Sequence, residues 1–349
     1  MSELNPSAAN HRHIAIWLII VCALIYTMVV LGGVTRLTRS GLSMVNWHPI
    51  AGIVPPLTDK QWQVEFDNYK HYPEYKKLNQ GMDLAGFKSI FWFEYAHRLL
   101  GRSIGLVFFL GFLWFAIRKQ LNRELWPKLA TMFVLGGMQG LLGWFMVKSG
   151  LVDRPHVSQY RLTAHLSLAI AIYGYMLWVA LGLLLPVREY APVNVLPRLR
   201  KTSIALWVLI SVMIISGGFV AGTHAGFVYN TFPTMNGYWF PPGLYGASPW
   251  YHNLFDDLTS VQFNHRILAY TIFISVIAFV LWARNLQLPK PTMTVLYAVL
   301  AAMLLQVTLG ISTLLTHVAV PVGAAHQGGA LVLFTTVAVL VRLFHIPSK

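Results

Sequence analysis

The chain of 349 residues is 56% hydrophobic and only 11% charged, with a mean hydropathy of +0.56. Those values exclude an ordinary soluble domain and make lipid its main solvent. The formal charge of +14 does not point to nucleic acid, because the basic residues occupy short loops between apolar stretches and not one polar face interleaved with aromatics. The single cysteine, Cys22, falls inside an apolar stretch, which excludes an intrachain disulfide, a thiol pair and a cysteine-rich metal site.

In chain order, a polar segment of 13 residues precedes 20 uncharged residues from Ile14 to Gly33. That run is longer than the apolar core of a signal peptide and has no small-residue cleavage site, so it reads as a retained span. A long loop, 35–88, follows. Further spans of about 20 apolar residues begin near Ser89, Trp126 and Arg161, then, after a basic linker at 187–201, near Thr202, Ser260, Thr292 and Gly323. The expected fold is an all-α membrane protein with eight transmembrane helices. Arg118, Lys119, Arg123 and Lys128 flank one short loop, Arg188, Arg198, Arg200 and Lys201 lie in the linker, and Arg284 and Lys290 flank another loop. The positive-inside rule places these loops, and both termini, in the cytoplasm. The seven Lys and Arg residues of 35–88 do not reverse that orientation, since long loops translocate largely regardless of charge.

The two halves, 1–186 and 202–349, repeat weakly. Gly32-Gly33-Val34 matches Gly217-Gly218-Phe219, and Glu94-Tyr95-Ala96-His97-Arg98 matches Gln262-Phe263-Asn264-His265-Arg266. Gln139 with Leu142-Gly143 matches Gln306 with Leu309-Gly310, and His165 matches His326. Each half is expected to be an up-down-up-down four-helix bundle. The even number of spans per half gives both halves one orientation, so the bundles should be pseudo-symmetric about an axis along the membrane normal.

In such bundles the second and fourth spans both enter from outside, which brings His97 level with His165 and His265 level with His326, each a few residues below its helix start. Opposed imidazoles at one depth can supply both axial ligands of a haem iron. The alternative is four interhelical hydrogen-bonding histidines; two matched pairs favour the haem reading, because ionisable groups in a membrane are costly and usually functional. Arg36, Arg98 and Arg266 are candidate partners for haem propionates, with lipid headgroups or Glu94 as alternative partners.

The halves differ where Glu94, three residues before His97, is replaced by Gln262. A carboxylate beside a haem edge can act as a general base or stabilise developing positive charge, which an amide does less well. The first half, 1–186 with its loop 35–88, therefore reads as chemical and the second as electron-carrying; an ion pair of Glu94 with Arg98 on one helix face is the simpler alternative. His48, His71, His156 and His252 fall in external loops, and His11, His13 and His345 near the termini, where solvated positions are the default. His224 and His317 lie near outer helix ends and are left without a role.

These motifs, with Thr35-Arg36-Leu37-Thr38, Ser40-Gly41-Leu42-Ser43, Gly101-Arg102, Gly222-Thr223-His224-Ala225-Gly226 and Asn230-Thr231-Phe232-Pro233, resemble those of the haem A synthases of bacteria and mitochondria across all eight spans. The resemblance implies oxidation of the C8 methyl of haem O to the formyl of haem A by successive hydroxylations with water-derived oxygen. It implies His97 and His165 as ligands of the substrate haem, Glu94 as a catalytic assistant, and His265 and His326 as ligands of a resident haem b. It also implies supply of haem O by a membrane haem O synthase, use of the product by haem-copper oxidase assembly factors, and an electron acceptor, for which quinone is a candidate. Some relatives carry a cysteine pair in the first external loop; 35–88 has none, so thiol chemistry there is excluded and the chain is more similar to the proteobacterial and mitochondrial branch. With no Arg- and Ser-rich transit peptide, a bacterial inner membrane is the expected location, with membrane lipid around the chain and a homo-oligomer compatible with it. The competing reading is a dihaem b-type cytochrome that moves electrons between quinone and a partner and leaves both haems unmodified.

Overall fold

A computed structural model describes residues 6–46, 51–151, 157–185, 191–192 and 194–345. His48, His156 and Arg188 lie outside the described residues, as does part of the 187–201 linker. Eleven α-helices are present among the described residues, with no β-strand beyond an isolated bridge between Met235 and Tyr238. They are α1 (Pro6–Leu37), α2 (Asp59–Lys70), α3 (Pro73–Lys77), α4 (Leu84–Ile117), α5 (Leu125–Gly150), α6 (Gln159–Leu184), α7 (Leu196–Thr223), α8 (His252–Phe255), α9 (Leu258–Ala283), α10 (Lys290–Leu315) and α11 (Val320–Leu343). All except α2, α3 and α8 are long and apolar enough to cross a membrane, which makes this a multi-pass membrane protein.

Local chemistry sets the ends of these helices. Asp83 caps α4 by accepting from the Gly86 N–H, and Asp257 caps α9 by accepting from the Ser260 N–H. Thr58 and Gln61 close a capping box on α2. At its C-terminal end α7 stops where His224 turns left-handed, at φ 63°. The same helix starts at Leu196, inside the basic linker, because Pro197 suits a first helical turn.

Helix α1 packs on α4 and α6, and α5 packs on α6 and α4; α7 packs on α9 and α11, and α10 on α11 and α9. Helices α4 and α6 thus stand opposite one another across the first group of four, as α9 and α11 do across the second. The groups meet where α1 packs on α11, α6 on α7, and α6 on α11. Accordingly α6 and α11 are the most enclosed spans, 50% and 56% buried over their apolar windows, against 6% for α5. The exposed faces of α4 and α5 carry Leu106, Phe109, Leu113, Phe133 and Val134, as a lipid contact requires.

The paired glycines allow α1 and α7 to serve two neighbours each. A Cβ on Gly32 would meet the His97 ring of its own group while one on Gly33 would strike Gln327 of α11; on α7, Gly217 faces His265 and Gly218 faces Thr163 of α6. Small residues permit this close approach of backbones in lipid, where apolar surface alone does not hold helices together.

The loop 35–88 forms a satellite core of its own, in which Met44, Val45, Trp62, Phe66 and Tyr69 pack on Phe87, Ile90 and Phe91 of α4. The first turns of α4 therefore belong to this external cap. His97 lies thirteen residues after Leu84 (97 − 84), about 20 Å along the helix, and not a few residues in as expected. The reason is that Phe87, Ile90 and Phe91, apolar enough to read as membrane-embedded, are buried by the loop instead.

Candidate functional site

The four histidines sit on opposed helices, His97 on α4 across from His165 on α6, and His265 on α9 across from His326 on α11. Within each pair the rings are close enough to interact electrostatically. Each imidazole rests on a glycine of a third helix. An added Cβ would lie 3.1 Å from the His97 ring at Gly32, 2.9 Å from His165 at Gly143, 3.4 Å from His265 at Gly217 and 2.9 Å from His326 at Gly310. The seats thus come from α1 and α5 in one half and from α7 and α10 in the other. Every ring is only partly buried, yet Nδ1 of His97 and of His165 is sealed with no hydrogen-bond partner. In the second half Nδ1 of His265 lies 3.1 Å from Ser216 Oγ, and His326 sits beside the Gln306 backbone without closing a full hydrogen bond.

Near His97, the Glu94 side chain is almost fully buried, at 3% exposure. Its Oε2 accepts from Ser43 Oγ at 2.7 Å and from the Met44 N–H at 2.8 Å, while Oε1 pairs with Arg98 at 2.5 Å. Arg98 also donates to the Met44 carbonyl at 2.8 Å. The expected alternative, an ion pair of Glu94 with Arg98, is therefore present, and the pair fastens residues 43–44 of the external cap to α4. The matching residues of the second half make the same kind of attachment without charge on the acceptor side. Gln262 donates to the Tyr229 carbonyl, and Arg266 to the carbonyls of Tyr229, Thr231 and Thr234. Arg36, at the end of α1, donates to the Ala221 and Gly222 carbonyls of α7 and lies 2.8 Å from His224 Nε2. A cation there complements the negative end of the α7 dipole. Nε of Arg36 and Nε of Arg266 are buried with no hydrogen-bond partner.

Residues 15–338 match the family described as cytochrome oxidase assembly protein, COX15-CtaA. This chain belongs to that family. Among its relatives, a protein of Nitrosospira multiformis named "Heme A synthase" is 54% identical over 333 residues, 95% of this chain and 94% of the relative. A "Heme A synthase" of Nitrosomonas eutropha is 50% identical over 93% of this chain and 92% of its own length. The "Heme A synthase COX15" of Arabidopsis thaliana is 42% identical over 97% of this chain and 76% of its own length.

In this COX15-CtaA protein the sequence-predicted residues separate into two sets. His97, His165, His265 and His326 face the interiors of their helix groups, and Glu94 stands beside the first pair. Arg36, Arg98 and Arg266 are joined first to backbone carbonyls and to Glu94. His71, whose Nδ1–H donates to the Asp67 carbonyl, and His317 are exposed. His252 pairs with Asp256, which also accepts from Gln159 and from Tyr160 at 2.7 Å, so the second external loop is tied to the start of the helix that carries His165. Burial pushes the Asp256 carboxyl up, but hydrogen bonds from Tyr160, His252 and Gln159 outweigh it and hold the group below the usual carboxylate range.

Several contributors went unassigned in the sequence. Ser43 lies in the Ser40-Gly41-Leu42-Ser43 motif, which carries no sign of its role, and Gly143 and Gly310 match each other in the repeat without showing what they touch. Ser216 carried no signal, because its counterpart in the first half is Leu31 and the repeat gave no match there.

Proposed function

We propose that this protein is a haem A synthase, which oxidises the C8 methyl of haem O to the formyl of haem A for assembly of haem-copper oxidases. The observation that carries the reading is the two opposed histidine pairs, each ring seated on a glycine of a neighbouring helix, with the buried Glu94 carboxylate on the helix of the first pair and Gln262 at the matching place in the second. Imidazole pairs across a four-helix bundle suit axial ligation of haem iron, and the orphaned Nε atoms of Arg36 and Arg266 suit haem propionates. The relatives' names support the same activity.

On this reading, the half formed by 1–186 binds haem O through His97 and His165, and the half formed by 202–349 holds haem b through His265 and His326, the two bundles being pseudo-symmetric. Haem b, when bound, supplies one-electron redox chemistry. Ser216 beside His265 fits a permanent ligand, because a partner on the distal ring nitrogen fixes ring orientation and raises ligand basicity. The first pair has no such partner on either Nδ1, whereas the second has one on His265 alone, His326 Nδ1 being unpartnered too. Each hydroxylation of the methyl takes oxygen from water and removes a pair of electrons and a pair of protons, and Glu94 is placed to steady the positive charge that develops. Its carboxylate is already engaged by Ser43, Met44 and Arg98, so electrostatic support describes its position better than free general-base action. The electrons leave to an acceptor, with quinone as the candidate class. Haem O arrives from a membrane haem O synthase, and the chain lies in a bacterial inner membrane with both termini cytoplasmic.

Glu94→Gln tests this directly. The purified variant should keep its haem b absorbance, while haem A disappears from its extracted pigments and haem O takes its place; unchanged haem A would remove Glu94 from the chemistry. A dihaem b-type cytochrome is the second reading, which fits the same histidines but predicts no haem A from any variant or from the parent.

A further inference from the structure

At the end of the molecule opposite the two external loops, a cavity of about 310 Å³ opens between the first turns of α7 and the end of α11. Leu196 and Phe344 form its buried floor, Pro197 and Ile204 its exposed walls, and Arg200 and Lys201 stand exposed beside them. Positive charge is concentrated around the opening. His345 follows Phe344 directly and stacks edge-on against Trp178 of α6 at 5.2 Å, and Arg342 lies over the same indole at 5.3 Å. Burial, then Arg200 and Arg342, lower the affinity of His345 for a proton, as groups of one sign sharing a small region must. Of the twelve acidic residues, Glu124 is the one at this end of the bundle among the described residues.

An apolar slot at helix-end depth with cations at its mouth matches one chemistry, an acyl chain joined to a phosphate. We infer that this cavity binds an acidic phospholipid, one acyl chain entering between Ile204 and Phe344 and the phosphate held by Arg200 and Lys201. Guanidinium and ammonium groups bind phosphate oxygens through charge-assisted hydrogen bonds, and basic pockets between transmembrane helices on the cytoplasmic side are suited to acidic headgroups. The site lies where α7 meets α11 and where α6 adds Trp178, so an occupant would staple the linker end of one half to the other. This site is independent of the haem reading.

The test is native mass spectrometry on the full-length protein in a neutral detergent, titrated with dioleoyl phosphatidylglycerol, dioleoyl phosphatidylcholine of the same chains, or glycerol 1-phosphate. Phosphatidylglycerol should bind in a saturable first step, phosphatidylcholine about tenfold more weakly, and glycerol phosphate not at all. Arg200→Gln with Lys201→Gln should erase the preference for phosphatidylglycerol, and Ile204→Trp, which fills the slot and leaves the charges, should reduce binding of both lipids. Equal binding of the two lipids by the parent protein would overturn the proposal, as would a preference that survives the double substitution. Binding of glycerol phosphate as tight as that of the lipid would reduce the site to a phosphate site.

Discussion

Gly310→Ala would place a methyl carbon 2.9 Å from the His326 ring, closer than real side chains tolerate, whereas the same change at Gly217 leaves 3.4 Å to His265. The imidazole is the softer partner, so the ring turns and the geometry of its Nε2 is lost. Gly310→Ala should therefore cost the second half most of its haem, at least about tenfold in affinity, while Gly217→Ala keeps it. Soret absorbance per polypeptide reads both, and equal retention would show that the glycines seat nothing. Arg98→Ala leaves the buried Glu94 carboxylate without its counter-charge, which costs about 3 kcal/mol in comparable buried pairs, and it also frees Met44. Thermal unfolding of Arg98→Ala should fall well below that of Arg266→Gln, which loses hydrogen bonds to carbonyls but strands no charge.

Among the elements, the external cap formed by 35–88 carries a titration of its own. Burial, helped by Glu94, raises the Glu74 carboxyl from its ordinary 4.5 to about 8, against a hydrogen bond from Tyr69 and the charge of Arg39 that lower it. A carboxyl whose folded pKa exceeds its unfolded pKa binds more protons when folded, so stability declines as pH rises from about 4.5 to about 8. Protection factors of the α2 amides, corrected for the intrinsic base-catalysed rate, should fall across that window, and Glu74→Gln should flatten the dependence. An unchanged profile in the variant would place the titrating group elsewhere. On the other loop, Asp256→Asn should release the second external loop from Gln159 and Tyr160 and speed exchange in α8 with little effect on α7.

For the molecule as a whole, the sequence was most informative where lipid acts as solvent. Eight apolar runs separated by charged turns can only be spans, and the structure starts α6 two residues and α11 three residues before the expected Arg161 and Gly323. That α4 would stand opposite α6, and α9 opposite α11, was legible because the alternation of spans fixes which helices run in the same direction. The extension of α4 was not, since Phe87 and Phe91 look the same to hydropathy whether lipid or Trp62 covers them. Nor were the partners of Arg36 and Arg266, because carbonyls of a folded-back loop leave no trace in composition. Glu94 was found as a difference between halves, but its engagement with Ser43 and Met44 depends on how the cap closes, which spacing along the chain does not determine.

The proposed function requires that each half hold its own haem, the first as substrate and the second as resident. It is tested most directly by extracting pigment from purified parent protein, His97→Ala and His265→Ala, each incubated with haem O, and resolving haem b, haem O and haem A by mass. The parent should yield haem b with haem O and haem A, His97→Ala haem b alone, and His265→Ala no haem b. Retention of haem b by His265→Ala, or of the haem O and haem A pair by His97→Ala, would contradict it.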